Sequence, residues 1–169
     1  TNADEFREEL IKQGATFTGT TDSEVIAYKI AMERLITPSI EDAAINVSRQ
    51  LKGGFALLIL SPQKLIGIRD PLGLKPLCLG ERNGSYILAS ESSAITSVGG
   101  KLIRDIEPGE TISISENGIT SNLSLQGEKR AHCIFEYIYF ARPDSVIDGY
   151  SVHNARVNAG RFSAQSHPV

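Results

Sequence analysis

The sequence predicts an α+β fold in which helices pack on antiparallel sheets. Two observations carry this. Segments with helical apolar spacing fill the first third of the chain, and the period then switches to short strand-like runs separated by turn residues.

The helical part reads as three elements, roughly Asn2–Gln13, Ser23–Leu35 and Ile40–Leu51. Asn2 with Glu5 three residues on has the spacing of a capping box; Phe6, Leu10 and Ile11 share one face, and Gly14 is a stop. Asp22 stands immediately before an apolar-periodic run containing Val25, Ile26 and Ile30, the place of an N-cap. Ser39, with Asp42 at the third helical position, predicts a third cap after Pro38.

"GGFALLILS" then reads as a fully buried strand and "KLIGIRD" as its neighbour across a Pro-Gln turn. "LCLGE" and "SYILASE" flank Asn83-Gly84, a strong hairpin signal. A short helix is expected at Ser93–Val98, started by the adjacent serines of "ASESSAI". Three further strands follow, "KLIRDIE", "ETISISE" and "ITSNLSL", with Pro108-Gly109 and Asn117-Gly118 as turns. The aromatic run Phe135, Tyr137, Tyr139, Phe140 suggests one more short strand, closed by the turn Arg142-Pro143-Asp144. "VHNARVNAGRFSAQ" suggests a last helix.

Composition narrows the class. Of 169 residues, 41% are hydrophobic and 22% charged, with a net charge of -3, as in a globular domain with one core. No basic stripe points to nucleic acid. "FALLIL" is too short to span a bilayer, and nothing resembles a secretory leader. Cys78 and Cys133 have no metal-type spacing, so free thiols in a cytoplasmic protein are expected.

Few residues advertise chemistry. There is no Gly-x-Ser-x-Gly elbow and no P-loop, and His132, His153 and His167 lie at no metal-ligand spacing. "IRDPLGLKPL" sets Arg69, Asp70 and Lys75 around two prolines and Gly73. It reads first as a rigid, ion-paired loop and second as a pocket wall. Cys133 reads first as a small buried hydrophobe. Asp22 has two readings, a cap or a carboxylate held out to a ligand.

"TTDSEVIAYKIA", "RDPLGLKPLCLG", "ILASESSAI", "IRDIEPGE" and "CIFEYIYFARPDSVIDGYSVHNAR", in that order, resemble the glutamine phosphoribosylpyrophosphate amidotransferases, or amidophosphoribosyltransferases. The likeness runs from Thr1 to about Ala164, and "FEYIYFARPDS" is its most specific part. It argues against the glutaminase half of a hexosamine or asparagine enzyme. The resemblance implies a sandwich of the N-terminal-nucleophile hydrolase type, with two antiparallel sheets face to face between helical layers, followed by a phosphoribosyltransferase domain. It implies residues 1–140 as glutaminase and 141–169 as the linker into the transferase. The implied reaction releases ammonia from glutamine and uses it to displace pyrophosphate from phosphoribosylpyrophosphate, giving phosphoribosylamine at the first step of purine synthesis. The family is homo-oligomeric, uses Mg with phosphoribosylpyrophosphate, and in one subset holds a 4Fe-4S cluster.

By the same resemblance, Asp22 matches the aspartate that holds the α-ammonium of glutamine, and Cys133 the first cluster ligand of the iron–sulfur subset. The family's N-terminal Cys nucleophile, its oxyanion Asn-Gly pair and its carboxylate-gripping arginine have no counterpart from Thr1 onward. The expectation is an internal fragment, incomplete at the N-terminus, without a catalytic residue of its own and inactive alone. Thr1 matches a helix-start position and is not expected to be a nucleophile. The competing reading is a non-catalytic module that binds glutamine or a partner chain.

Overall fold

The computed structural model describes residues 1–168. The helical part forms α1 (Ala3–Lys12), α2 (Asp22–Arg34) and α3 (Ile40–Ser48), as the apolar spacing predicts. Their buried faces (Phe6 and Leu10, Val25 and Ile26, Ala44 and Val47) pool into one cluster with Ile66 and Ile68. These three helices therefore form a layer on a sheet.

Strands β1 (Ala56–Leu60), β2 (Leu65–Arg69), β6 (Thr111–Ser115) and β7 (Gly118–Asn122) make that sheet, in the order β1-β2-β6-β7. Strands β3 (Cys78–Arg82), β4 (Ser85–Ala89) and β5 (Lys101–Asp105) make a second, in the order β4-β3-β5. All pairings are antiparallel. Strand periodicity sorts the side chains between layers: Ile66 and Ile68 face the helices, while Leu65, Ile112 and Ile114 meet Leu79 and Leu88 of the other sheet. On the outer face of the second sheet, α4 (Ser92–Ser97) packs Ile95 against Gly80, where an added Cβ would come within 2.5 Å of the Ile95 side chain. The layers thus run helix, sheet, sheet, helix. Asn83 and Gly84, at φ 52° and 79°, form the expected hairpin turn.

Four expectations need correction. The "FALLIL" strand is not buried: β1 is an edge strand, with Leu58 52% and Leu60 81% exposed. An apolar run reports the chemistry of both strand faces, not whether a neighbouring strand or sheet is there to cover them. Leu58 and Leu60 lie on the face that β2 turns toward the second sheet, but outside its cover.

The aromatic run is a π-helical turn, Glu136–Phe140, closed by Ala141 N–H donating to Glu136 O at 2.9 Å. Alternating aromatics mimic a strand, but only one of them is drawn inward, Tyr137, whose hydroxyl donates to Ile147 O at 3.0 Å.

The caps differ too. Ser39 Oγ accepts from Asp42 N–H at 3.0 Å as expected. Asn2, however, caps no helix with its side chain: its Oδ1 accepts from Lys52 N–H (2.9 Å) and its Nδ2 donates to Gln50 O (3.2 Å). Ser92 and Ser93 are the first two residues of α4 behind Glu91 at the cap position, and instead of capping the helix their hydroxyl oxygens accept from Val146 N–H and the Ser145 hydroxyl.

After the turn at Arg142-Pro143-Asp144, two short strands not visible in the sequence pattern, β8 (Val146–Ile147) and β9 (Tyr150–Ser151), form a hairpin leading into α5 (Val152–Ser166). No helix among the described residues is long and apolar enough to cross a membrane.

Candidate active site

A cleft opens where the start of α2 meets the start of β1. Thr1, Asp22 and Ser23 form one wall, and Gly54 to Leu57 the floor. Lys75, Glu91, Glu136 and Phe140 stand opposite. The loop after β2, the end of β4 and the π-helical turn are far apart in sequence, and the sandwich brings them to one place.

Asp22 is the first helical residue of α2, not its cap; the capping position falls to Thr21, whose side chain makes no capping bond. A carboxylate in the first turn still favours the helix through the positive end of its dipole. The segment before it is clamped by Glu24, which accepts from Thr18 N–H and Gly19 N–H, each at 2.9 Å, and from the Thr18 hydroxyl at 3.0 Å. Arg7 reaches over from α1 and donates to Gly19 O at 2.9 Å. The backbone bonds of Thr18, partly offset by burial, hold the Glu24 carboxyl below the usual range. The Asp22 carboxylate itself is 57% exposed toward the cleft and accepts from the Thr1 hydroxyl.

Across the cleft, Lys75 Nζ is 3.4 Å from Glu136 Oε1 and 5.5 Å from the centre of the Phe140 ring. Glu91 Oε2 accepts from Arg142 N–H and from the Ser145 hydroxyl, both at 2.9 Å.

Behind this wall the "IRDPLGLKPL" loop is rigid, as its first reading holds, but its ion pairs run to distant partners. Asp70, fully buried, accepts from the N–H groups of Leu72, Leu74 and Lys75. Arg69 pairs with Asp148 through both carboxylate oxygens, at 2.8 and 2.9 Å. Burial pushes the Asp148 carboxyl up, but the hydrogen bonds and charge of Arg69 outweigh it and hold the group below the usual range. Neighbouring Asp105 is pushed up, by burial first and then by the charge of Asp148.

Both cysteines are free thiols. Burial, with the charges of Asp105 and Glu91, pushes Cys78 up to about 12, so it is an inert core thiol. Cys133 is half-buried, beside Arg69, His132, Tyr137 and Asp148 around a small cavity away from Asp22. Among the described residues no group of three or more His, Cys, Asp or Glu side chains could hold a metal ion. Cys133 therefore has no companion ligands among the described residues. Of the histidines, His132 meets Asp148 with Nδ1 at 3.0 Å, and His153 and His167 lie on α5 and at its end.

Sequence reasoning missed Thr1, Glu24 and Glu136 as cleft or clamp residues. Glu24 had a legible signal, a carboxylate at the third helical position that can reach back to backbone N–H groups.

Residues 1–97 match the family described as the glutamine amidotransferase domain. This chain belongs to that family. The matched part of the glutamine amidotransferase domain contains Thr1, Asp22, the Arg69–Lys75 loop and Glu91. The amidophosphoribosyltransferase of Methanocaldococcus jannaschii is 41% identical over 99% of this chain and 39% of its own length. That of Bacillus subtilis is 39% identical over 99% of this chain and 35% of its own. A solved Bacillus subtilis glutamine phosphoribosylpyrophosphate amidotransferase, complexed with ADP and GMP, superposes with a TM-score of 0.92 at 40% identity, covering 99% of this chain and 36% of that one. The chain thus spans little more than a third of the length of these relatives.

Proposed function

We propose that this chain is part of an amidophosphoribosyltransferase, the enzyme that converts glutamine, phosphoribosylpyrophosphate and water into phosphoribosylamine, glutamate and pyrophosphate. In this reading residues 1–140 are the latter part of its glutaminase domain, of the N-terminal-nucleophile hydrolase type, and 141–169 lead into the transferase. The observation that carries it is the Asp22 carboxylate: it lines the cleft, stays more than half exposed, and is fixed on a clamped helix start. An ammonium of bound glutamine meets the same carboxylate, which orients the side-chain amide away from α2.

The nucleophile and the oxyanion donors come from residues outside these 169, since Cys78 is buried in the second sheet and Cys133 lies in a separate cavity. This chain alone is therefore inactive. In the iron–sulfur subset of the family the remaining cluster ligands, like the Mg that accompanies phosphoribosylpyrophosphate, belong to residues beyond this stretch.

The test begins with intact mass and the coding sequence upstream of Thr1. An upstream segment beginning Met-Cys-Gly supports the proposal; a start codon immediately before Thr1 overturns it in favour of a non-catalytic glutamine- or partner-binding module. In the complete enzyme, Asp22→Asn is expected to raise KM for glutamine at least tenfold, and an unchanged KM overturns the role of Asp22.

A further inference from the structure

An exposed carboxylate on a helix is free to rotate, and a rotating carboxylate makes a poor ammonium site. Asp22 is held from one side. The Thr1 hydroxyl donates to its Oδ2, and among the described residues this is the side-chain hydrogen bond that the carboxylate receives. Among the described residues no hydrogen bond reaches Oδ1 of this cleft-lining side chain, so its lone pairs remain available.

The hydroxyl is itself fixed. The Thr1 side chain is only 11% exposed, and Thr is stiff at χ1 because it is β-branched. The next residue, Asn2, is tied through its side chain to Gln50 O and Lys52 N–H, and Ala3 and Phe6 are buried in the helical cluster. At the other end of the bond, Glu24 and Arg7 clamp the backbone just before Asp22. Donor and acceptor thus sit on two anchored pieces of chain, the lead into α1 and the first turn of α2, and the hydrogen bond spans the seam between them.

We infer that Thr1 is a positioning residue: its hydroxyl fixes the Asp22 carboxylate so that Oδ1 is presented to the α-ammonium of an amino-acid ligand. This rests on the role assigned to Asp22 above. It makes Thr1 a determinant of selectivity for α-amino acids over the same skeleton without the amine. Fixing the acceptor beforehand removes a rotor that the ligand would otherwise have to freeze.

The experiment uses the complete enzyme and two competitive inhibitors of glutamine use, L-glutamate and glutarate, which differ by the α-ammonium. Thr1→Val removes the donor and keeps the shape; Thr1→Ser keeps the donor. Thr1→Val is expected to weaken L-glutamate by about five- to tenfold, the net worth of one ordinary hydrogen bond, and to leave glutarate within about twofold. Thr1→Ser is expected to keep most of the preference. If Thr1→Val weakens both inhibitors equally, or neither, the inference is overturned, because a merely structural threonine has no reason to sense the ammonium. Asp22→Asn separates the two levels. If it leaves the preference for L-glutamate intact, the role of Asp22 fails; if it erases the preference and Thr1→Val does not, only the role of Thr1 fails. Should Thr1→Val melt well below the parent enzyme, Thr1→Ala and Thr1→Ser compared with each other carry the same test.

Discussion

Arg69 and Asp148, 79 residues apart, meet in a bidentate pair that is one part of a complete set of bonds. All five guanidinium N–H groups are used: the others go to Lys75 O (3.0 Å), Ile106 O (2.7 Å) and Gly73 O (3.1 Å). Replacing Arg69 with Met leaves Asp148 and three carbonyls without their donor. The expected cost is about 3–5 kcal/mol, read as a lower urea midpoint with unchanged slope. Arg69→Lys is expected to recover only part of it, because an ammonium cannot reproduce the planar fork.

The pH dependence around this pair has two opposed signs. Asp148 is held below the ordinary carboxylate range, so its stabilising contribution is present at neutral pH and is lost as pH falls through about 4 and lower. Asp105 is raised, so its penalty is present at neutral pH and relieved as pH falls through that raised value. Asp148→Asn is expected to destabilise strongly at pH 7 and much less below pH ~4. Asp105→Asn removes the buried charge beside Asp148 and is expected to stabilise at pH 7, an advantage that shrinks in acid. Urea midpoints of the parent and both variants across that pH range check the two signs.

Two glycines of similar backbone angle separate strain from crowding. Gly84 (φ 79°) faces open space, whereas a Cβ at Gly109 (φ 74°) would lie 2.5 Å from the Gln126 backbone. Gly84→Ala is expected to cost about 1 kcal/mol, the conformational term alone. Gly109→Ala adds a clash that only a backbone shift can relieve, and about 3 kcal/mol or more is expected in thermal or chemical melts.

The free edge of β1, with Leu58 and Leu60 uncovered, makes the 169-residue chain by itself sticky. Hydrophobic-dye binding and concentration-dependent self-association are expected, and Leu58→Lys with Leu60→Glu is expected to reduce both. A dye-free, monomeric parent chain in size-exclusion chromatography would show that this edge is already satisfied.

Local patterns carried most of the elements. The spacing of Phe6 and Leu10, of Val25, Ile26 and Ile30, and the Ser39 cap placed three helices, and Asn83-Gly84 placed a hairpin. Strand cover was not legible, because whether Leu58 is buried depends on a neighbour and not on Leu58. Nor was the partner of Arg69, since nothing near residue 69 announces Asp148, which sits in a left-handed turn at φ 48°. At the candidate site, Asp22 was legible as a carboxylate at a helix start. Its tie to Thr1 was not, because it depends on how α1 and α2 pack.

The Arg69–Asp148 pair also sets an order of events during synthesis. Strand β2 leaves the ribosome carrying a cation whose burial is only balanced once the β8–β9 hairpin has emerged, long after the sheets themselves are available. Until then Arg69 lacks its bidentate partner and has only the charges of Asp105 and Asp70 nearby. A polypeptide cut at residue 140 would stay in that state permanently, holding both sheets but not the carboxylate that pairs with Arg69.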